Sequence, residues 1–107
     1  MKTKAASPML ALAFLLAPAA RAADAPPAAV HIENFAFRPQ TLEVPAGTTV
    51  VWINDDEELH ALFALDSSFR SPGLEGDGKF EHRFTVPGTY EYRCSLHPQM
   101  KGTIVVR

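Results

Sequence analysis

The chain is predicted to fold as an all-β sandwich of about seven short antiparallel strands, and three observations carry that expectation. Apolar and polar residues alternate over short runs, as in Tyr90-Glu91-Tyr92-Arg93-Cys94, which is the period of a half-buried strand. Turn-forming residues separate the runs, notably Pro45-Ala46-Gly47 and Pro87-Gly88. No stretch keeps a helical period over a useful length.

Residues 1–22 read as a secretory signal peptide. Lys2 and Lys4 give a positive start, Met9 to Ala17 is an apolar run, and Ala20-Arg21-Ala22 is a small-x-small cleavage site. The apolar run is shorter than the roughly 20 residues a membrane span needs. Residues 23–29 form an Ala- and Pro-rich tether, and residues 30–107 form one domain.

Within the domain, Val30 to Phe37 alternates loosely until Pro39 interrupts it, and Thr41 to Val44 is a short strand. Thr48 to Ile53 is dense in β-branched residues and carries Trp52, so a central strand buried on both faces is expected. Asn54 to Glu58 is a polar loop, and His60 to Leu65 is another strand. Asp66 to Gly78, with Pro72 and three glycines, is a long irregular connection. Lys79 to Val86 alternates with Phe80, His82 and Phe84 on one side, and Thr89 to Cys94 and Gly102 to Arg107 close the set.

Removal of residues 1–22 leaves 85 residues with seven basic against twelve acidic side chains, a net charge of −5. Such a chain is a poor nucleic-acid ligand and a plausible partner for a basic protein surface. A domain this small has a modest core, and exported domains of this size often rely on disulfides. The one cysteine, Cys94, cannot form an internal one. A metal bound at that thiol would both protect it and staple the fold.

Cys94-Ser95-Leu96-His97-Pro98-Gln99-Met100 is where the chemistry concentrates. A thiolate, an imidazole and a thioether follow one another at intervals of three positions, and soft sulfur donors with imidazole select copper. On a strand Cys94 and His97 would point to opposite faces, and Pro98 opposes a continuing helix. A tight loop between the last two strands is what remains, with its donors converging on one point. The fourth donor is then a second histidine. His60 opens a strand after an acidic loop and is the best placed, whereas His31 and His82 sit within strands and read as half-exposed strand residues. The predicted metal ligands are His60, Cys94, His97 and Met100, holding one copper ion.

Thr49-Val50-Val51-Trp52-Ile53-Asn54 leading to His60, together with the run Gly88 to Gly102, resembles the small blue copper proteins (cupredoxins), and within them the amicyanin and plastocyanin type. The likeness covers residues 30–107, and the ligand loop with two residues between Cys and His and two between His and Met resembles amicyanin in particular. The resemblance implies a Greek-key β-sandwich of seven to eight strands and a mononuclear type 1 copper cycling between Cu(I) and Cu(II). It implies electron carriage in the periplasm between redox proteins such as a c-type cytochrome or a periplasmic dehydrogenase, by a monomer that is not an enzyme. It matches His60, Cys94 and His97 to the strong ligands and Met100 to the axial one. Three positions depart from the pattern: Ala61 where relatives often carry an Asn that ties the two ligand loops, Leu96 where the amicyanin loop usually has Pro, and Gln99 where it has an aromatic residue.

Two other readings use the same residues. Copper storage or delivery would need the same ligands without fast electron exchange. A cysteine hydrolase or redox enzyme would need an open pocket, a base and an orienting group around Cys94. A binuclear copper centre would need a second cysteine. The run Asp55-Asp56-Glu57-Glu58 is either a solvated loop or a docking patch for a basic partner.

Overall fold

The computed structural model describes residues 25–107. The expected signal peptide and the first two residues of the expected tether lie outside them. Eight strands occur among the described residues: β1 (Ala28–Glu33), β2 (Ala36–Arg38), β3 (Thr41–Val44), β4 (Thr48–Asn54), β5 (Leu62–Ala64), β6 (Lys79–Phe84), β7 (Gly88–Cys94) and β8 (Lys101–Val106). They form two four-stranded sheets with orders β2-β1-β4-β6 and β3-β8-β7-β5. Five of the seven connections cross from one sheet to the other, which makes the sandwich one cooperative unit. No described helix is long and apolar enough to cross a membrane.

The sheets are mixed, which corrects the all-antiparallel expectation. β1 runs parallel to β4, and β3 runs parallel to β8. Alternation reports which side chains face inward but carries no information on strand direction. Direction is set by the crossovers, and the β2–β3 excursion between β1 and β4 is long enough to bring the chain back parallel.

Other expectations are corrected too: the strand expected from His60 to Leu65 is only β5, with His60 ahead of it in an isolated bridge to Leu74. Ala28 and Ala29, assigned to the tether, pair with Val50 and Val51 and belong to β1. The Val30–Phe37 run is a hairpin, with Glu33 opposite Ala36 and a two-residue turn at Asn34-Phe35. β4 is central, but only one of its faces is fully buried. Thr48, Val50, Trp52 and Asn54 point inward, while Thr49, Val51 and Ile53 are half-covered on the outside of the sheet.

The core lies between the sheets and is dominated by aromatic rings. Trp52 packs edge-on to Tyr92 with ring centres 5.5 Å apart, and Phe69 and Phe80 lie at 5.4 and 5.8 Å. Phe84, Ile32, Leu62, Ile104, Val30 and Val50 are fully buried around them. Rings at these separations add attraction beyond their burial. Tyr92 in this cluster lies two residues before Cys94, which is itself fully buried at the end of β7.

Candidate metal centre

Asn54, the last residue of β4, builds the approach to His60. Its buried side chain donates to the carbonyls of Glu58 and Leu74, both at 2.8 Å, and its Oδ1 accepts from the Asp56 amide at 2.9 Å. These bonds fold Asp55 to Leu59 into a compact loop. His60 then exchanges backbone hydrogen bonds with Leu74, at 3.1 and 2.6 Å, so its Cα is pinned from the irregular 66–78 connection. Its ring is completely buried.

The second half of the site is the loop between β7 and β8. The Cys94 amide donates to the Met100 carbonyl at 3.3 Å, and the Met100 amide donates to the His97 carbonyl at 2.9 Å, which fastens the loop at its base. The Ser95 amide donates to the Ala61 carbonyl at 2.7 Å. The two ligand loops are thus tied through backbone at the position where the expected Asn side chain is missing.

The fold brings three of the four predicted ligands to one point. His60 Nδ1 and His97 Nδ1 each lie 3.7 Å from Cys94 Sγ, and the three donor atoms all fall within 4.8 Å of one another. Metal–nitrogen and metal–sulfur bonds of about 2.0 and 2.3 Å meeting at a trigonal angle separate the two donors by about 3.7 Å. Both sulfur–nitrogen separations therefore match one shared ion. Met100, 3% exposed, closes the base of the same loop. His31 and His82 are elsewhere, on β1 and β6 of the other sheet. His31 Nδ1 pairs with Asp55 at 2.7 Å, and His82 stacks against Phe69 and Phe84, where partial burial holds its pKa below the ordinary value.

Two residues that sequence reasoning did not single out complete the centre. The first is Asp56. Its carboxylate accepts from the amides of Asn34 and Phe35 at 2.7 and 3.0 Å, and its Oδ2 lies 2.9 Å from His60 Nε2. With Nε2–H donating there, Nδ1 is left as the atom that faces Cys94. Burial pushes the Asp56 carboxyl upward, but the Phe35 and Asn34 amides and then His60 outweigh it and hold the pKa below the ordinary 3.8. The second is Phe35. Asn34 and Phe35 both adopt left-handed backbone, φ 54° and 56°, as a two-residue hairpin turn requires. That conformation is tolerable for Asn and costs about 1–2 kcal/mol for a bulky residue. The two Asp56 hydrogen bonds offset it, and the outcome is a ring set edge-on to both imidazoles, 5.3 Å from His60 and 4.9 Å from His97.

Asp56→Asn is expected to destabilise the copper-free protein by about 1–2 kcal/mol at neutral pH, because a partly buried, charge-assisted set of hydrogen bonds is weakened. The effect has a definite pH dependence. A carboxyl whose folded pKa lies below its unfolded value contributes stability above the unfolded value and loses it as pH falls through the folded one. The gap between parent and variant melting temperatures should therefore be full above pH 3.8 and shrink at lower pH. A gap constant across that range would show that the carboxylate does not hold the turn.

The acidic run accordingly divides in two. Asp55 and Asp56 are engaged with His31 and with the site, while Glu57 and Glu58 remain exposed beside Leu59.

The Cupredoxin-like domain family model matches residues 6–106. Amicyanin-alpha from Methylorubrum extorquens is 32% identical over 104 residues, spanning 90% of this chain and 87% of that protein. The solved structure of a purple cupredoxin from Nitrosopumilus maritimus superposes with a TM-score of 0.71 at 35% identity, covering 75% of this chain and 99% of that one. A mutant amicyanin in its oxidised state superposes at 0.72 with 29% identity, covering 80% and 89%. With its sandwich and its convergent His60, Cys94 and His97, the chain belongs to the cupredoxin-like family.

Proposed function

We propose that this protein is an exported, periplasmic one-electron carrier that binds one copper ion through His60 Nδ1, Cys94 Sγ and His97 Nδ1, with the Met100 thioether as a weak axial donor. The observation that carries the reading is the preassembled donor set, with two ring nitrogens each 3.7 Å from one buried sulfur. Copper held there supplies a single-electron change between two oxidation states. The rest is the work of the chain itself. Asp56 orients the His60 ring, and the backbone bonds at Met100, His97 and Ala61 keep the loop from relaxing. A site so fastened changes little between oxidation states, which suits rapid exchange and argues against a delivery role that must open to release the ion. Phe35 packs edge-on to the half-buried His97 ring, and the exposed Leu96 and Pro98 flank His97 in the chain. Leu96 is 51% exposed, so this apolar rim forms a surface that desolvates at low cost against a passing redox protein such as a c-type cytochrome or a periplasmic dehydrogenase.

Adding one equivalent of Cu(II) to the purified exported chain should produce an intense visible band that one electron bleaches reversibly. A colourless product would refute the reading. Met100→Leu should retain copper and raise the midpoint potential, since a weak axial donor tunes the ion more than it holds it. An unchanged voltammogram, or complete loss of copper, would remove Met100 from the axial position.

A further inference from the structure

On the outer face of the second sheet, four side chains stand in a single cross-strand row. Arg70 bridges to Phe63, Phe63 is opposite Arg93, and Arg93 is opposite Lys101. Directly paired residues share a face, so all four project to the same side. The Arg70 guanidinium carbon lies 5.7 Å from the Phe63 ring centre. The row spans three strand spacings, about 14 Å. Leu65 stands next to Phe63 on the same face and is 49% exposed, and a groove lined by Phe63, Leu65, Ser67 and Arg70 opens at that end.

The charge pattern is distinctive. Residues 23–107 contain only seven Lys and Arg, and three of them form this row. Among the described residues none of the three has a carboxylate within ion-pair distance, whereas Arg38 and Arg107 pair with Glu33 and Glu43. The one acid on the adjoining row is Glu91, two positions along β7. Two cations directly opposite each other, Arg93 and Lys101, oppose strand pairing. Arg93 is also peptide-bonded to Cys94, so this face is one residue from the buried sulfur.

We propose that the Arg70–Phe63–Arg93–Lys101 row is a second docking surface, separate from the apolar rim of His97, and that its occupant is an acidic redox protein. The proposal rests on the carrier reading. Charge complementarity names the partner: three cations flank a flat aromatic and aliphatic centre, which suits a protein patch of carboxylates around apolar residues. The net charge of −5 disfavours long-range association with any polyanion, the acidic partner included, so such a partner is held only by a compact patch of carboxylates that meets this cationic face. The exposed acids Glu57 and Glu58 lie in the His60 loop, not on this row, so partners of opposite charge need not compete for one surface.

The test titrates isotope-labelled, copper(I)-loaded protein with an acidic [2Fe–2S] ferredoxin at low ionic strength. Amide shifts should centre on positions 63, 70, 93 and 101, and R70E/K101E should weaken association about tenfold or more. K79E, a charge reversal of the same kind on the other sheet, should not. K101E alone should raise the melting temperature, because it places a carboxylate opposite Arg93. Shifts centred on Leu96 and His97, equal weakening by K79E, or binding to vesicles of one-third anionic lipid with the same residue dependence would overturn the proposal. Mapped docking in which the Cu(II)-loaded protein, carrying the visible band, takes no electron from the reduced ferredoxin would support the surface and count against the carrier reading.

Discussion

Replacing Cys94 by Ser should abolish the intense visible band and most of the stabilisation that copper gives the fold. Cys94 Sγ is the one donor common to both short contacts, 3.7 Å from each imidazole, and it is fully buried at the end of β7. A thiolate is a strong soft donor to copper, while a serine hydroxyl stays protonated and binds weakly. The backbone should be undisturbed, because the Cys94 amide bond to Met100 and the pairing with Leu62 do not involve the side chain. The measurement is paired. Thermal melts of parent and variant are compared with and without one equivalent of copper, alongside visible spectra. In the parent, tight binding raises stability by several kcal/mol, about 4 kcal/mol at a thousandfold excess over Kd. In the variant the copper-dependent shift should fall to a small fraction of that, with the copper-free melts close together. An intense band or a full shift in the variant would take Cys94 out of the site.

Gly102→Ala should be among the most destabilising single substitutions in the chain, although it adds one methyl group. Gly102 is directly opposite Tyr92 across β7 and β8. The Tyr92 ring lies over it, so a Cβ at 102 would stand 2.7 Å from Tyr92 Cε1 and fall inside the envelope of Cζ and the hydroxyl. The ring cannot swing aside, because it is fully buried between Phe37 and Trp52, with centres at 4.7 and 5.5 Å. Overpacking of this kind costs about 3 kcal/mol or somewhat more. For a domain of this size that lowers the melting temperature by roughly 12 °C or more. Tyr92→Leu should relieve the clash, so in a double-mutant cycle Gly102→Ala should cost about 1–2 kcal/mol less in that background. An additive cycle would mean that the ring does not enforce glycine here. Among the described residues the Tyr92 hydroxyl has no hydrogen-bond partner, and burial raises its pKa above the ordinary 10.0. Tyr92→Phe should therefore be close to neutral, which separates the packing role of the ring from its polar end.

How far the site could be read from the chain depends on sequence distance. Cys94 and His97 are three positions apart in a loop between two alternating runs, so their convergence follows from local geometry alone. His60 is 34 positions from Cys94, and choosing it over His31 and His82 required an argument about which strand end meets the loop. Asp56 looked like its neighbours in an acidic run. Only the folded chain shows that it turns inward to bridge a ligand and a turn 21 and 22 positions away, while Glu57 and Glu58 stay exposed. Alternation alone places Phe35 within one run from Val30 to Phe37. Asn34, a residue that tolerates left-handed backbone between two alternating runs, was the local signal for the hairpin that carries this ring to the metal centre.

The sequence by itself determined the sandwich class, the ligand loop and the need for a second histidine, because side-chain alternation, turn chemistry and donor spacing act over a few residues. Tertiary structure alone decided the parallel pairing of β1 with β4 and of β3 with β8, since direction depends on crossovers between sheets. It also decided the tie from Ser95 to the Ala61 carbonyl, which replaces a missing side chain with a backbone acceptor whose availability no residue type reveals. The row of Arg70, Phe63, Arg93 and Lys101 belongs to the same class. Its members span 38 positions, and only strand register, which is set by how the two buried faces meet, places them side by side.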